Sequence, residues 1–475
     1  MLRRGPVLLL LVWSQTARAS DWPMWRHDAR NTGFVRLRTR APQRIKGWQF
    51  QASSHVWGYQ PGMSVWSSPA VALVRGAPVV VVGSYDHNVY ALDARTGARL
   101  WRFTTGGGVY STPVVWRDPK QNTRVLVIAA ASDRAIYALE AESGRRVWVH
   151  TLEAWRPTMG GARLSAPAVG RVGDSWAVLV GHWVWDKSMS GHMQEGGITA
   201  LDALSGTRLW HTPLGDDQVS SPVIARLKGG DRVFVASENG NLYCLDARTG
   251  KVLWSQTERN AIMASPAVYD TPLGPRVVIG SKFGRLRCLD AAHGAPIWTH
   301  GTGHWIDGSA AVGDIGGRRV VLVGSYDTLL HAVDAVSGAA LWSYRTAGGV
   351  FSSPAIASGE RRTRVLFSSW DHHLHCVSGA DGSLLWSAFL GRPIWDSVSL
   401  GDSIWSSPAV AEIDGQDVAY VGSYAGPFYA VPLDEAAEKA LARPGSNINF
   451  WLTMPIVMAI VAGMTLLVTR RRRRR

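Results

Sequence analysis

The sequence predicts an all-β chain: an eight-bladed β-propeller followed by one C-terminal transmembrane helix. Three observations carry that expectation. Residues 67–101 read as four short strands split by Gly, Asn and Asp, the composition of one propeller blade. That unit then recurs, with an acid or its substitute, Gly four residues on and Trp four further at Asp93-Gly97-Trp101, Glu140-Gly144-Trp148, Asp202-Gly206-Trp210, Asp246-Gly250-Trp254, Asp290-Gly294-Trp298, Asp334-Gly338-Trp342 and Ser378-Gly382-Trp386. Past the repeats, residues 448–469 are uncharged and apolar, and six arginines follow at 470–475.

Within the first unit, Ser67-Ser68-Pro69-Ala70-Val71 opens an apolar strand and residues 79–84 form a second, β-branched one. The turn Tyr85-Asp86-His87-Asn88 leads into the alternating run 89–93, and Ala94-Arg95-Thr96-Gly97 turns the chain into 98–103. The acid and the Gly bracket this last hairpin, because an Asx side chain can bond the turn's own backbone and Gly can take positive φ. The Trp of the outer strand has two faces to bury and one N–H to satisfy, which suits a wedge between adjacent sheets. Trp101, Trp148, Trp210, Trp254, Trp298, Trp342 and Trp386 are therefore expected as structural docking residues.

The opening Pro returns at 69, 113, 167, 222, 266, 354 and 408, with Ala310 in the sixth place, so eight units begin. Four intervals are 44 residues and three are 54 or 55, which assigns the extra length to loops. Only seven units end in a Trp strand, since the eighth (406–431) runs out without one. Segment 44–51, around Trp48, resembles 98–103 and lacks a Gly four residues before its Trp. It is expected to close the ring against the last blade, leaving no free sheet edge and making Trp48 the eighth docking residue.

The ends predict export. Arg3 and Arg4 precede the apolar residues 7–13, and Ala17-Arg18-Ala19 offers a cleavage site, so residues 1–19 read as a signal peptide and 20–41 as a leader. The ring is assigned to 42–434, a linker to 435–447 and the membrane helix to 448–469, which at ~1.5 Å per residue spans about the ~30 Å bilayer core. The basic tail 470–475 would stay in the cytoplasm and leave the ring in the periplasm or on the extracellular side. Nine of the 50 basic residues are Arg3, Arg4, Arg18 and that tail; without them the surplus over 36 acidic residues falls to five. A hexa-Arg run beside a membrane helix matches anionic headgroups, so no nucleic-acid partner is expected.

Cys244, Cys288 and Cys376 stand two residues before the acid position, where Ala91, Ala138, Ala200, Ala332 and Ala430 stand in other units. They read as small core residues, not as disulfide partners. Metal, nucleotide and nucleophile-elbow motifs are absent, and Asp371-His372-His373-Leu374-His375 occupies the turn and strand that Asp86-His87-Asn88-Val89-Tyr90 form in the first unit, where a solvated turn is expected in place of a ligand set. The surplus is in tryptophan. Of 23, Trp57, Trp66, Trp155, Trp183, Trp185, Trp305, Trp395 and Trp405 fall outside the repeat phase, mostly in connections entering the innermost strand. With His182, His304, Asp307 and Asp396 nearby in sequence, they are expected to line the channel mouth, either as a binding surface for a peptide, sugar or flat ligand or as a plug.

The pattern L-D-A-x-T-G-x-x-L-W at 92–101 and 245–254 resembles the tryptophan-docking motif of pyrroloquinoline quinone (PQQ)-like, quinoprotein alcohol dehydrogenase-like propellers. Residues 21–34, DWPMWRHDARNTGF, are similar to leaders that precede such repeats in exported bacterial proteins. The resemblance implies either a PQQ-dependent oxidoreductase that uses calcium or a cofactor-free scaffold such as the outer-membrane assembly-factor propeller. No adjacent cysteines and no C-x-x-C-H haem site match the dehydrogenases, and the first cysteine, Cys244, excludes an N-terminal lipoprotein signal. The expectation is a non-enzymatic envelope scaffold, a monomeric ring that binds an envelope protein or peptide, with no catalytic residue, metal or cofactor. A PQQ-and-calcium oxidoreductase is the alternative, and a carbohydrate- or peptide-sensing ectodomain the third reading.

Overall fold

Strands apolar on both faces must be covered on both sides, and here they form eight antiparallel sheets packed face to face around an axis. The structure, a computed structural model, describes residues 28, 30, 34–36, 48–50, 67–121, 123–152, 159–186, 194–215, 220–258, 260–359, 362–390, 406–422 and 428–433. Among them no helix occurs, hence none long and apolar enough to cross a membrane. The signal peptide, the linker, the anchor 448–469 and the tail lie outside the described residues.

The leader contributes β1 (Phe34–Arg36), the segment after it β2 (Trp48–Phe50), and the first blade is β3 (Ala70–Val74), β4 (Ala77–Gly83), β5 (Asn88–Asp93) and β6 (Arg99–Thr104) in meander order. The first strand of each blade is innermost and lies beside that of the next. The series runs Ala70–Val74, Val114–Arg117, Ala168–Val172, Val223–Leu227, Ala267–Thr271, Ala311–Ile315, Ala355–Ser358 and Ala409–Ile413, and the last returns to the first. β2 pairs antiparallel with the last blade's outer strand Phe428–Pro432, Trp48 opposite Ala430, so the expected closing segment supplies the missing fourth strand. In the third blade the middle strands lengthen to Ser175–Asp186 and Gln194–Asp202, and an additional strand, Met159–Leu164, pairs with the first of them.

The core consists of layers between blades: Val81, Val89 and Ala91 of the first, for instance, pack on Val127, Ala129 and Leu139 of the second. Cys244, Cys288 and Cys376 are fully buried, each opposite its own blade's Trp, as expected of residues that replace Ala. Two belts join the layers. On the outside, the indole N–H of one blade donates to a carbonyl in the next blade's last hairpin: Trp101 to Ala141 (2.9 Å), Trp148 to Ala203 (3.2 Å), Trp210 to Ala247 (2.9 Å), Trp254 to Ala292 (3.1 Å), Trp298 to Ala335 (3.2 Å) and Trp342 to Gly379 (3.1 Å). Each ring lies on that hairpin's Gly, so close that a Cβ on Gly206 would stand 2.6 Å from Trp148. Gly is thus required twice over, for φ near +72° and for the preceding blade's indole. Trp386, 1% exposed, faces the blade where Pro432 replaces the acid, and its N–H has no partner among the described residues.

The inner belt is made of hydroxyls. The second Ser of each strand opening accepts the N–H of its counterpart in the preceding blade: Ala166 N–H donates to Ser221 (3.2 Å), Ser221 to Ser265 (3.2 Å), Ser265 to Ser309 (2.9 Å), Ser309 to Ser353 (2.9 Å), Ser353 to Ser407 (2.9 Å) and Ser407 to Ser68 (2.9 Å). The first Ser works within its own blade, as Ser67 accepts Gly83 N–H at 2.7 Å. These bonds satisfy buried backbone donors around the axis that the sheets leave unpaired.

Candidate functional site: the loop rim of the channel

Antiparallel order puts two kinds of connection on one rim, those between second and third strands and those that lead into the next blade. They bond to each other: Val109 N–H to Ser84 O (2.9 Å), Ile306 to Ser281 (3.2 Å) and Val350 to Ser325 (2.9 Å). In blades five to seven this rim gathers aromatic side chains. Trp305, 44% exposed, stands edge-on to Tyr326 at 5.7 Å between centroids, and His304 stacks on Tyr326 at 5.8 Å. Tyr326 meets Trp370 edge-on at 4.9 Å, and Trp370 stacks on Phe351 at 6.2 Å. Lys282 Nζ sits 5.6 Å from the centre of the Trp305 ring, and Arg285 lies 4.5 Å from the ring of the exposed Phe283.

Asp307 is beneath this cluster. Burial raises its carboxyl above the usual range, opposed by the Lys282 charge, a hydrogen bond from Tyr326 and His304. The Tyr326 hydroxyl is pushed up in turn, by burial first and then by Asp307. The second oxygen, Oδ1, is buried with no hydrogen-bond partner. The rim thus offers a half-exposed indole face, a cation above it and an acceptor without a donor. Among the described residues it contains no nucleophile held by a base.

Of the residues expected at the mouth, Trp305, His304 and Asp307 come together. Trp183 is half-buried in the third blade, and Trp185 is in the same strand with its side chain outside the described residues. Trp57, Trp66, Trp155, Trp395, Trp405 and Asp396 lie outside them as well, as does the side chain of Trp48. His182 belongs elsewhere: it is 4% exposed and stacks on His211 at 5.3 Å, and both rings share the Thr199 hydroxyl (3.3 and 3.1 Å). Burial, reinforced by His211, pulls its pKa down to about 3.

Lys282, Tyr326, Phe351 and Trp370 were not expected here. Their signal is repeat phase, since 282, 326 and 370 are 44 residues apart and each follows a Ser at, or one residue past, the end of a second strand. One expectation is corrected. Asp371 and His372 form a turn and His373 to His375 begin the strand after it, as the repeat predicts, but the group is not solvated: His375 is 5% exposed, and its Nε2 lies 3.0 Å from Asp371. Burial works against the Asp371 charge, but bonds from His373 and His375 prevail and hold its carboxyl far below the usual range. Asp371 also accepts Ala347 N–H (3.2 Å), so the group clamps a connection to a strand; Asp86 with Tyr90 and Asp327 with His331 repeat the pairing.

A quinone held with calcium would need clustered oxygen donors. Among the described residues no three of His, Cys, Asp and Glu gather where they could hold a metal ion. The three thiols sit in three different blades, and burial lifts Cys244 to about 12 and Cys288 to about 11.

Comparison with known proteins adds three findings. A family model described as outer membrane protein assembly factor BamB matches residues 15–181, 194–273 and 271–460. Among solved structures, the quinohemoprotein alcohol dehydrogenase of Comamonas testosteroni superposes with a TM-score of 0.63 at 16% identity over 87% of this chain and 80% of that one; a europium-containing methanol dehydrogenase gives 0.63 at 15% over 85% and 90%. Such identities show the fold alone. Among curated proteins, the quinoprotein alcohol dehydrogenase PedE of Pseudomonas putida is 34% identical over 73 residues, 15% of this chain and 11% of that protein. The chain thus spans about a tenth of the length of the curated alcohol dehydrogenases it matches.

Proposed function

This chain belongs to the PQQ-like propeller family described as outer membrane protein assembly factor BamB, and from that premise we propose that it is a non-enzymatic binding module of the cell envelope. Residues 1–19 direct export, the helix 448–469 anchors the ring outside the cytoplasmic membrane, and the tail 470–475 rests on anionic headgroups. The indoles of the outer belt dock blade to blade and keep the ring rigid, which leaves the rim free to bind. Its partner is an envelope protein or peptide.

One observation carries the reading: the Trp305 face, 44% exposed, backed by Tyr326, Phe351 and Trp370 and capped by Lys282. Aromatic anchors beside a cation are the usual centre of a protein-binding surface. Capture of the partner from native membranes by affinity-tagged full-length protein tests it. Trp305→Ala should lose the partner while the melting temperature stays within about 1–2 °C, because the ring is largely outside the core. Retained capture by this variant would overturn the rim as the site. Dye-linked alcohol oxidation after addition of quinone and calcium would overturn the non-enzymatic reading in favour of an oxidoreductase, and selective retention on a glycan array would favour a sugar sensor.

A further inference from the structure

The leader lies inside the ring. β1 runs parallel to the innermost strand of the seventh blade, with Phe34 opposite Ile356, Val35 opposite Ala357 and Arg36 opposite Ser358. Val35 is 1% exposed and packs among Ala355, Ala357, Ala409 and Ala411, whose small side chains leave room for a β-branched one. Five residues earlier, the Arg30 carbonyl accepts Val268 N–H (3.0 Å) and its guanidinium donates to Asp270 (2.5 Å), both on the innermost strand of the fifth blade. The described residues of the leader therefore meet the channel wall at blade five and again at blade seven.

An innermost strand presents an unpaired edge to the channel, the kind of surface to which an extended segment can add. We propose that this wall is a strand-acceptor site for a partner's extended segment with a basic residue five positions before a β-branched one. The leader is its resident, exchangeable occupant. The fit is chemical: Asp270 meets the basic side chain, the alanine wall takes the β-branched one, and the inner strand edge pairs with the backbone. Exchange is feasible because, among the described residues, the resident's strand pairing is short, over three residues, and its ion pair is exposed, with Asp270 61% accessible. A three-residue strand and an exposed pair worth ~0–1 kcal/mol are weak contacts. Tethering retains the leader by raising its effective concentration to about the millimolar range. This site shares no residue with the loop rim, so the two readings stand or fall separately.

The test uses the full-length protein and a fluorescent peptide of residues 28–38. The wild-type chain should bind it weakly, since its own leader competes. Arg30→Ala and Val35→Asp in the protein loosen the resident and should each tighten peptide binding about tenfold, because apparent affinity scales with the fraction of free sites. A peptide carrying the Val35→Asp change should bind none of the three proteins. Equal affinity for all three, no binding to any, or equal binding of the altered peptide would overturn the proposal. Should Val35→Asp unfold the ring, Arg30→Ala decides alone, as its side chain is at a partly exposed ion pair.

Discussion

Gly250→Ala is the sharpest probe of the outer belt. The new Cβ would stand 2.5 Å from Cε3 of Trp210 and 2.6 Å from Oγ1 of Thr212, on a backbone with φ of +72°. The left-handed conformation costs an L-residue about 1–2 kcal/mol. Pushing the indole aside adds about 1–3 kcal/mol of overpacking. The Trp210 bond to Ala247, 2.9 Å long, contributes about 0.5–1.5 kcal/mol more when broken. The expected loss is roughly 3–6 kcal/mol, a large part of a typical stability of ~5–15 kcal/mol. Gly316→Ala is the matched control, with φ of +58° and no atom within 4 Å of the added Cβ, so it should lose only the backbone portion of about 1–2 kcal/mol. Urea unfolding followed by tryptophan fluorescence and circular dichroism measures both, and in a Trp210→Ala background the Gly250 penalty should shrink toward that of Gly316, with only the Thr212 contact left above it. Equal losses at the two glycines in the wild-type background would refute the stacked-indole account.

Three further expectations follow from other parts of the ring. His182 is neutral when folded, with a pKa near 3, and an unfolded His titrates near 6.5; stability therefore holds above about pH 6.5 and falls by up to ~1.4 kcal/mol per unit as pH drops toward 3. His182→Gln should flatten that slope between pH 7 and 5, and an unchanged slope would assign acid sensitivity elsewhere. Ser353→Ala removes the acceptor of Ser309 N–H from the inner belt and should cost about 1–3 kcal/mol in the same urea assay, whereas a neutral change would mean that the belt does not stabilise the ring. Deleting residues 42–50 strips the strand paired with Phe428–Pro432 and should abolish a single cooperative transition; an unaltered transition would remove β2 from any closing role.

The repeat was legible because hairpin geometry fixes its spacing. Acid, Gly and Trp each answer a local demand, so Asp93 accepts the N–H groups of Arg95 and Thr96 at 2.9 Å, as an Asx turn should. The segment around Trp48 was legible by subtraction, since eight strand openings faced seven Trp strands. What escaped depends on contacts between blades. Nothing in a single repeat says that its Gly must admit the indole of the blade before it, or that its second Ser serves a backbone donor 44 residues earlier. The rim was half legible. Trp305 stands out as surplus in the sequence, whereas Tyr326 and Trp370 share an edge only because the ring brings their turns together. The leader was the least visible, because Arg30 and Asp270 are 240 residues apart and share no pattern.

On the proposed function, the loop rim of blades five to seven is where this protein meets its partner. Placing a photo-crosslinking residue at position 305, and separately at Leu273, which is 70% exposed in a hairpin on the opposite rim, tests it in native membranes. Irradiation should give a discrete envelope-protein adduct from position 305 that Lys282→Glu diminishes, and none from position 273. Adducts of equal yield from both positions, or from neither, would contradict it.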